Sequence, residues 1–185
     1  MKVWKIVMMT KKEMRQCLRI KREALTGIEE SNKQIYNNLL SISKFINCRY
    51  IGYYCPYKNE VDISQQLTRD YNRKLAFPYI KNKEMRYLAY TTVFETTKIG
   101  VKQPIETAKT ALVAPDIILL PVIAVNSAGY RLGYGGGYYD RYLQKNAQAI
   151  KIALAYEEQI ISENFQQEWD IPVDYIVTET AVYRM

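Results

Sequence analysis

The sequence predicts an α/β protein in a single domain, with a mostly parallel or mixed sheet lying between helical layers. Three observations carry that expectation. Apolar residues recur at helical spacing through the first 46 positions and at strand spacing from residue 49 onward. Beyond that switch, strand-like runs alternate with helix-like runs, the pattern of a sheet covered by helices. At 185 residues the chain can close one core without dividing. In such sheets ligands gather where loops leave the carboxyl ends of strands, which singles out the loops at 55–61 and 126–138.

The first helix is expected over residues 11–26. Thr10 and Glu13 form a capping-box pattern, Met14, Leu18 and Leu25 supply an apolar stripe, and Gly27 ends it. Lys11, Lys12, Arg15, Arg19 and Arg22 crowd toward one face, and a solvated basic surface is the expected setting for Arg19 and Arg22. Ser31 with Gln34 marks a second start, leading into Ile35, Leu39, Ile42 and Ile46 on one buried face. Residues 49–55 are rich in strand formers and stop at Pro56, and Val61-Asp62-Ile63 opens another helix with Asp62 as its cap.

Strands are expected next at 74–77, ended by Pro78, and at 86–90. Residues 91–110 are polar and threonine-rich and read as a loop excursion. Residues 116–125 begin with the uninterrupted apolar run of a central strand covered on both faces. Asn126–Gly129 is turn chemistry, 139–147 suits a helix, 152–156 a buried strand, and 173–177 and 181–183 edge strands. Residues 1–9 read as an extension outside the core: their apolar stretch is too short for a secretory signal, and the first capping signal at Thr10 is consistent with translation starting at Met8 or Met9.

Composition narrows the chemistry. A formal charge of +7, from 26 Lys and Arg against 19 Asp and Glu, favours an anionic partner without choosing among phosphates, nucleic acid and a basic surface kept for solubility. The chain has no histidine, which excludes His-dependent hydrolase triads and most zinc sites and leaves carboxylates, Lys, Arg, Tyr, backbone amides or a hard cation to act. Its three cysteines, Cys17, Cys48 and Cys55, lack metal-binding spacing and point to a reducing, cytoplasmic setting. Cys55 reads as a packed small residue, with nothing nearby to activate it. No stretch approaches a membrane span. The 17 tyrosines keep a single-strand nucleic-acid binder in play, but they are spread through expected strands and form no RNA-binding signature, so no nucleic-acid partner is expected.

Residues 131–143, RLGYGGGYYDRYL, hold four glycines, four tyrosines and three charges. They match neither a P-loop nor a dinucleotide fingerprint. Gly135, Gly136 and Gly137 still let successive amides face one concavity, ahead of a helix whose positive end adds to it. Arg131 could clamp a phosphate, and Asp140 could hold magnesium. A glycine turn that only lets strand and helix pack closely would look the same, and it is the flanking Arg131, Tyr138, Tyr139, Asp140 and Arg141 together that favour a site.

This segment resembles the signature R-L-G-x-G-x-G-Y/F-Y-D of the 5-formyltetrahydrofolate cyclo-ligase family, also called methenyltetrahydrofolate synthetase, at every fixed position. Lys11-x-x-x-Arg15 resembles that family's first ATP-contacting element. The stretch from Cys55 to Glu60 resembles its folate-contacting loop, with Glu60 in the acidic position, and Ile171-Pro172-Val173-Asp174 resembles its late strand. Order and spacing agree from Lys11 to Thr178.

The resemblance implies a three-layer α/β/α sandwich and an ATP- and magnesium-dependent cyclisation of 5-formyltetrahydrofolate to 5,10-methenyltetrahydrofolate, with release of ADP and phosphate. It places Lys11, Arg15, Arg131, Gly133, Tyr134, Gly135, Gly136, Gly137, Tyr138 and Tyr139 around ATP, with Lys11 and Arg131 stabilising the transferred phosphoryl group. It places Cys55 and Glu60 against the folate, joined by Tyr134, Gly135, Gly136, Gly137 and Tyr138, and Asp140 with Asp174 on magnesium. The expected partners are small molecules, and the expected state is a monomer or weak homo-oligomer. Gly136 stands where some relatives carry Lys, Gln103-Pro104 stands where many carry Glu-Pro, and residues 81–110 match poorly.

Overall fold

A computed structural model describes residues 9–89 and 91–185. Residues 1–8 of the extension expected at 1–9, and the last position of the strand expected at 86–90, lie outside the described residues. Among the described residues, no helix is long and apolar enough to cross a membrane.

Helix α1 (Lys11–Glu23) starts as its capping box requires: Glu13 N donates to Thr10 Oγ1, and Thr10 N donates back to Glu13 Oε2 at 2.8 Å. It ends at Glu23, three residues short of the expected boundary. Gly27, at φ +69°, is not only a stop signal but also the N-cap of α2 (Ile28–Leu39), so the second helix begins before Ser31. Ile28 itself packs on the core, which anchors that earlier start. α2 closes at Leu39, and a turn separates it from the short α3 (Ser43–Ile46). That break rotates the stripe: Phe45 is fully buried, whereas Ile46, expected in the core, is 45% exposed.

Eight strands form the main sheet among the described residues. They are β1 (Ile51–Gly52), β2 (Leu75–Lys81), β3 (Glu84–Ala89), β6 (Ala111–Val113), β7 (Ile117–Pro121), β10 (Ile150–Leu154), β12 (Tyr175–Val177) and β13 (Val182–Arg184). Their spatial order is β13-β12-β10-β7-β1-β2-β3-β6. The five central strands run parallel, and β13, β3 and β6 add antiparallel pairings at the two sides, so the mixed α/β sheet expected from the sequence is present. Alternate residues of β7 face two different cores. Ile117 and Leu119 pack with α2, α3 and the helix α4 (Ser64–Tyr71), while Ile118 and Leu120 pack beneath α5 (Tyr138–Lys145).

The apolar run at 116–125 is not one strand. β7 stops at Pro121, which has no N–H to continue a ladder, and after a bend at Val122 and Ile123 the chain enters β8 (Ala124–Asn126). β8 is the middle strand of a small second sheet with β9 (Arg131–Leu132) and β11 (Ile160–Ile161). That sheet packs on α1 through Met14, Leu18, Ile123, Leu132 and Ile161.

Pro78 does not end its strand either: it pairs with Tyr87 of β3, and β2 runs on to Lys81, because β1 reaches β2 only at Leu75 and Ala76 and leaves the proline on an edge stretch. The expected loop at 91–110 contains a hairpin of β4 (Phe94–Thr96) and β5 (Lys102–Pro104), with Gly100 at φ +85° in its turn.

Candidate functional site

The glycine segment connects β9 to α5. Gly135 and Gly137 hold φ values of +95° and +64°, a backbone that side chains rarely adopt, and Gly137 caps α5 without a side-chain bond. Arg15 of α1 reaches this loop: its Nε donates to Gly133 O at 2.8 Å, and a Cβ on Gly135 would lie 3.2 Å from the Arg15 guanidinium carbon. The bare backbone at Gly135 is what lets the guanidinium lie against the loop. Gly133 and Gly136 are part of the same turn, and a Cβ at Gly136 would press on the Tyr138 ring at 2.9 Å.

Arg131 is nearly buried at 8% exposure and is held by Asp140 Oδ1 at 2.9 Å, by Ile171 O at 3.4 Å, and over the Tyr139 ring. Lys11 lies further along, its ammonium on Asp170 Oδ2 at 2.6 Å and on Gln167 Oε1 at 3.1 Å. Tyr138 is half-buried beneath the Arg141 guanidinium. Burial drives the Tyr139 hydroxyl well above its ordinary pKa, with Glu60 adding to the rise.

Across the loop stands Glu60, only 6% exposed, at the end of the segment that follows β1. Burial pushes its carboxyl above the usual range, while the Arg22 guanidinium, the Tyr134 hydroxyl and the Tyr57 amide pull it back. Glu60 Oε2 accepts from Tyr57 N at 2.9 Å, and Oε1 sits 3.6 Å from Arg22 Nη1. Tyr134 spans both sides: the residue is 44% exposed, and its hydroxyl accepts from Arg22 Nη2 at 2.7 Å. Cys55 is a packed thiol, pushed up to about 11 by burial, and so stays neutral at ordinary pH.

The two carboxylates expected to share a metal have different partners. Asp140 faces Arg131, whereas Asp174 stands before β12, accepts from Lys151 N at 2.7 Å and pairs with Lys151 Nζ at 2.9 Å. Asp174 lines a hollow of ≈ 210 Å³ at the amino ends of β10 and β12, together with Lys44, Lys151 and Arg184. No group of three or more metal-type ligands gathers among the described residues.

A model of the 5-formyltetrahydrofolate cyclo-ligase family matches residues 7–179. The chain belongs to that family. Among cyclo-ligases it is 31% identical over 175 residues to the 5-formyltetrahydrofolate cyclo-ligase of Mycoplasma pneumoniae, covering 92% of this chain and 99% of the relative. The solved structure of Aquifex aeolicus 5,10-methenyltetrahydrofolate synthetase superposes with a TM-score of 0.81 at 32% identity, over 95% of this chain and 93% of that one. The corresponding Mycoplasma pneumoniae structure gives 0.72 at 26% identity, over 92% and 99%.

For a cyclo-ligase site, the residue that sequence reasoning missed is Arg22. Expected in a solvated basic face, it is 0% exposed and stands between Glu60 and Tyr134. A signal for this was available: Met14, Leu18 and Arg22 are four residues apart, so Arg22 continues the buried stripe of α1.

Proposed function

We propose that this chain uses ATP to close 5-formyltetrahydrofolate to 5,10-methenyltetrahydrofolate, releasing ADP and phosphate. The observation that carries the proposal is Tyr134. Its loop meets Arg15 on one side, while its own hydroxyl meets the Arg22–Glu60 pair on the other, so a phosphate chain and a flat heterocycle would lie on opposite sides of one glycine segment. Family membership and the names of the related enzymes agree with this reading.

On the phosphate side, the amides of Gly133–Gly137, Arg15, Arg131 and Lys11 would bind ATP, with Tyr138 and Tyr139 closing the wall behind them. Arg131 and Lys11 would oppose the charge that grows on the transferred phosphoryl oxygens. On the other side, Glu60 would accept hydrogen bonds from the folate ring, with Cys55, Tyr134 and Tyr138 packing around it. Held in line, the formyl oxygen attacks the terminal phosphorus and ADP leaves. The neighbouring folate nitrogen then attacks the activated carbon, loses its proton, and phosphate departs as the methenyl bridge forms. The first step needs no strong base, which suits a chain without histidine.

Asp140 fits a magnesium ion. Arg131 engages its Oδ1, the side chain is 23% exposed, and one carboxylate together with phosphate oxygens is a donor set magnesium accepts. When bound, magnesium would neutralise phosphate charge. Asp174, held by Lys151, is left out of the proposal. We read the protein as a cytoplasmic monomer or weak homo-oligomer acting on small molecules.

The test is to supply purified protein with magnesium, ATP and 5-formyltetrahydrofolate and to follow the near-ultraviolet absorbance of the methenyl product. Product only when ATP is present supports the proposal; none under any metal overturns it.

A further inference from the structure

Arg22 occupies the last turn of α1 on the same stripe as Met14 and Leu18. Its guanidinium, fully buried, makes four contacts with parts of the chain far apart in sequence. Nη1 donates to Val122 O at 3.1 Å, at the bend between β7 and β8, where Gln159 Nε2 also donates at 3.0 Å. Nη1 lies 3.6 Å from Glu60 Oε1, an ion-pair rather than hydrogen-bond distance. Nη2 donates to the Tyr134 hydroxyl at 2.7 Å and reaches Tyr57 O at 3.5 Å.

Stability alone does not explain an arginine here. Its Nε is buried with no hydrogen-bond partner among the described residues, and a leucine or methionine would continue the apolar stripe without that unsatisfied donor. Replacing a buried ion pair with apolar side chains is often neutral or stabilising. The loop that carries Glu60 is itself held against its own preference: Lys58 and Asn59 have φ values of +46° and +49°, a conformation unusual for two successive non-glycine residues. Both are tied to the end of α1, Asn59 Nδ2 donating to Glu23 O at 3.1 Å and Lys58 Nζ lying 3.7 Å from Glu23 Oε1. The strained loop and the buried cation therefore converge on one carboxylate and one phenol.

We propose that Arg22 is a positioning residue for the folate side of the site: a single guanidinium fixes the Glu60 carboxylate relative to the Tyr134 hydroxyl, so that two loops present one surface to the pterin ring. The proposal rests on the folate reading given above. Arg22 touches neither substrate in this arrangement and acts through Glu60 and Tyr134. Lysine would not replace it, because a point charge cannot bridge both partners as a planar fork does.

The experiment compares steady-state kinetics of Arg22→Met, Arg22→Lys, Tyr134→Phe and the Arg22→Lys/Tyr134→Phe pair with the unaltered enzyme. Folate KM should rise about tenfold or more in each single variant, the scale of a lost charge-assisted hydrogen bond, while ATP KM stays within about twofold. The double variant should be no worse than the more impaired single one, since both remove the same link.

A pH readout separates positioning from loss of structure. Glu60 is within electrostatic reach of Arg22 from α1, Tyr134 from the glycine segment, Tyr139 from α5, and Tyr53 and Tyr54 from the strand end. Of these, only Arg22 is a cation. In Arg22→Met the acid limb of kcat/KM for folate should move to higher pH; a merely structural role would lower the whole profile without moving it.

Folded variants with unchanged folate KM, folate and ATP KM rising together, or additive effects in the double variant would each overturn the proposal. If Arg22→Met does not fold, the Arg22→Lys and Tyr134→Phe comparison decides alone. An unaltered enzyme that forms no methenyl product defeats the folate reading itself, an outcome distinct from turnover that is indifferent to Arg22.

Discussion

Arg131 and Asp140 are each other's charge partner: Arg131 Nη2 donates to Asp140 Oδ1 at 2.9 Å, and the guanidinium also lies over the Tyr139 ring. In the proposed site an arginine that binds phosphate and a carboxylate that holds magnesium would neutralise each other when no ligand is present, as this pair does. Binding of a metal–phosphate complex can then exchange one neutral pairing for another without leaving a buried charge exposed to its own desolvation cost.

Replacing Asp140 by Ala leaves Arg131, nearly buried, short of its carboxylate. Stability should fall by on the order of 1–3 kcal/mol, read by urea unfolding, and turnover should be lost. Asp140→Asn keeps an acceptor for Arg131 but not the negative charge, so it should unfold like the unaltered protein yet need much more magnesium for any turnover. Equal magnesium dependence in the two proteins would remove Asp140 from the metal.

Gly135→Ala should act on ATP rather than on folate. The new methyl group meets the Arg15 guanidinium 3.2 Å away on a backbone at φ +95°, so both the loop and its arginine must shift. ATP KM should rise about tenfold while folate KM changes little, with strain at such a residue on the order of 1–3 kcal/mol. A rise in folate KM alone would show that the two sides of the loop are assigned the wrong way round.

Cys55 should be silent. With its thiol pushed up to about 11, only about one part in a thousand is thiolate at pH 8, so it should resist alkylation in the folded protein. Cys55→Ala should keep kcat, with only folate KM rising as a packing contact is lost. Fast labelling of Cys55 that also abolishes activity would make it a reacting group.

Much of this molecule was legible because its sequence obeys simple periods. The capping box at Thr10 placed α1, and the apolar run at 117–120 marked the strand buried on both faces. The misreadings share a physical origin, in that local signals were overruled by what lay across the fold. Pro78 reads as a strand end, but it pairs with Tyr87 on one side only, beyond the reach of β1, where its missing donor does little harm. Ser31 looked like a cap, yet the left-handed Gly27 turned the chain first.

The charge of Arg22 suggests a solvated face while its place on the stripe suggests burial, and the partners that make its burial tolerable are remote, at residues 57, 60, 122 and 134. Asp174, expected on magnesium because the strand motif around it resembles the family's, pairs with Lys151 of the neighbouring strand at the amino ends of β10 and β12.

Oxygen tracing tests the two-substrate site most directly. 5-Formyltetrahydrofolate labelled with oxygen-18 at the formyl oxygen is turned over with unlabelled magnesium–ATP, and the inorganic phosphate is analysed by mass spectrometry. If the formyl oxygen attacks the terminal phosphorus, one labelled oxygen appears in phosphate for each methenyl group formed. Label released to water instead, or methenyl product formed without ADP, would contradict phosphoryl transfer across the glycine segment.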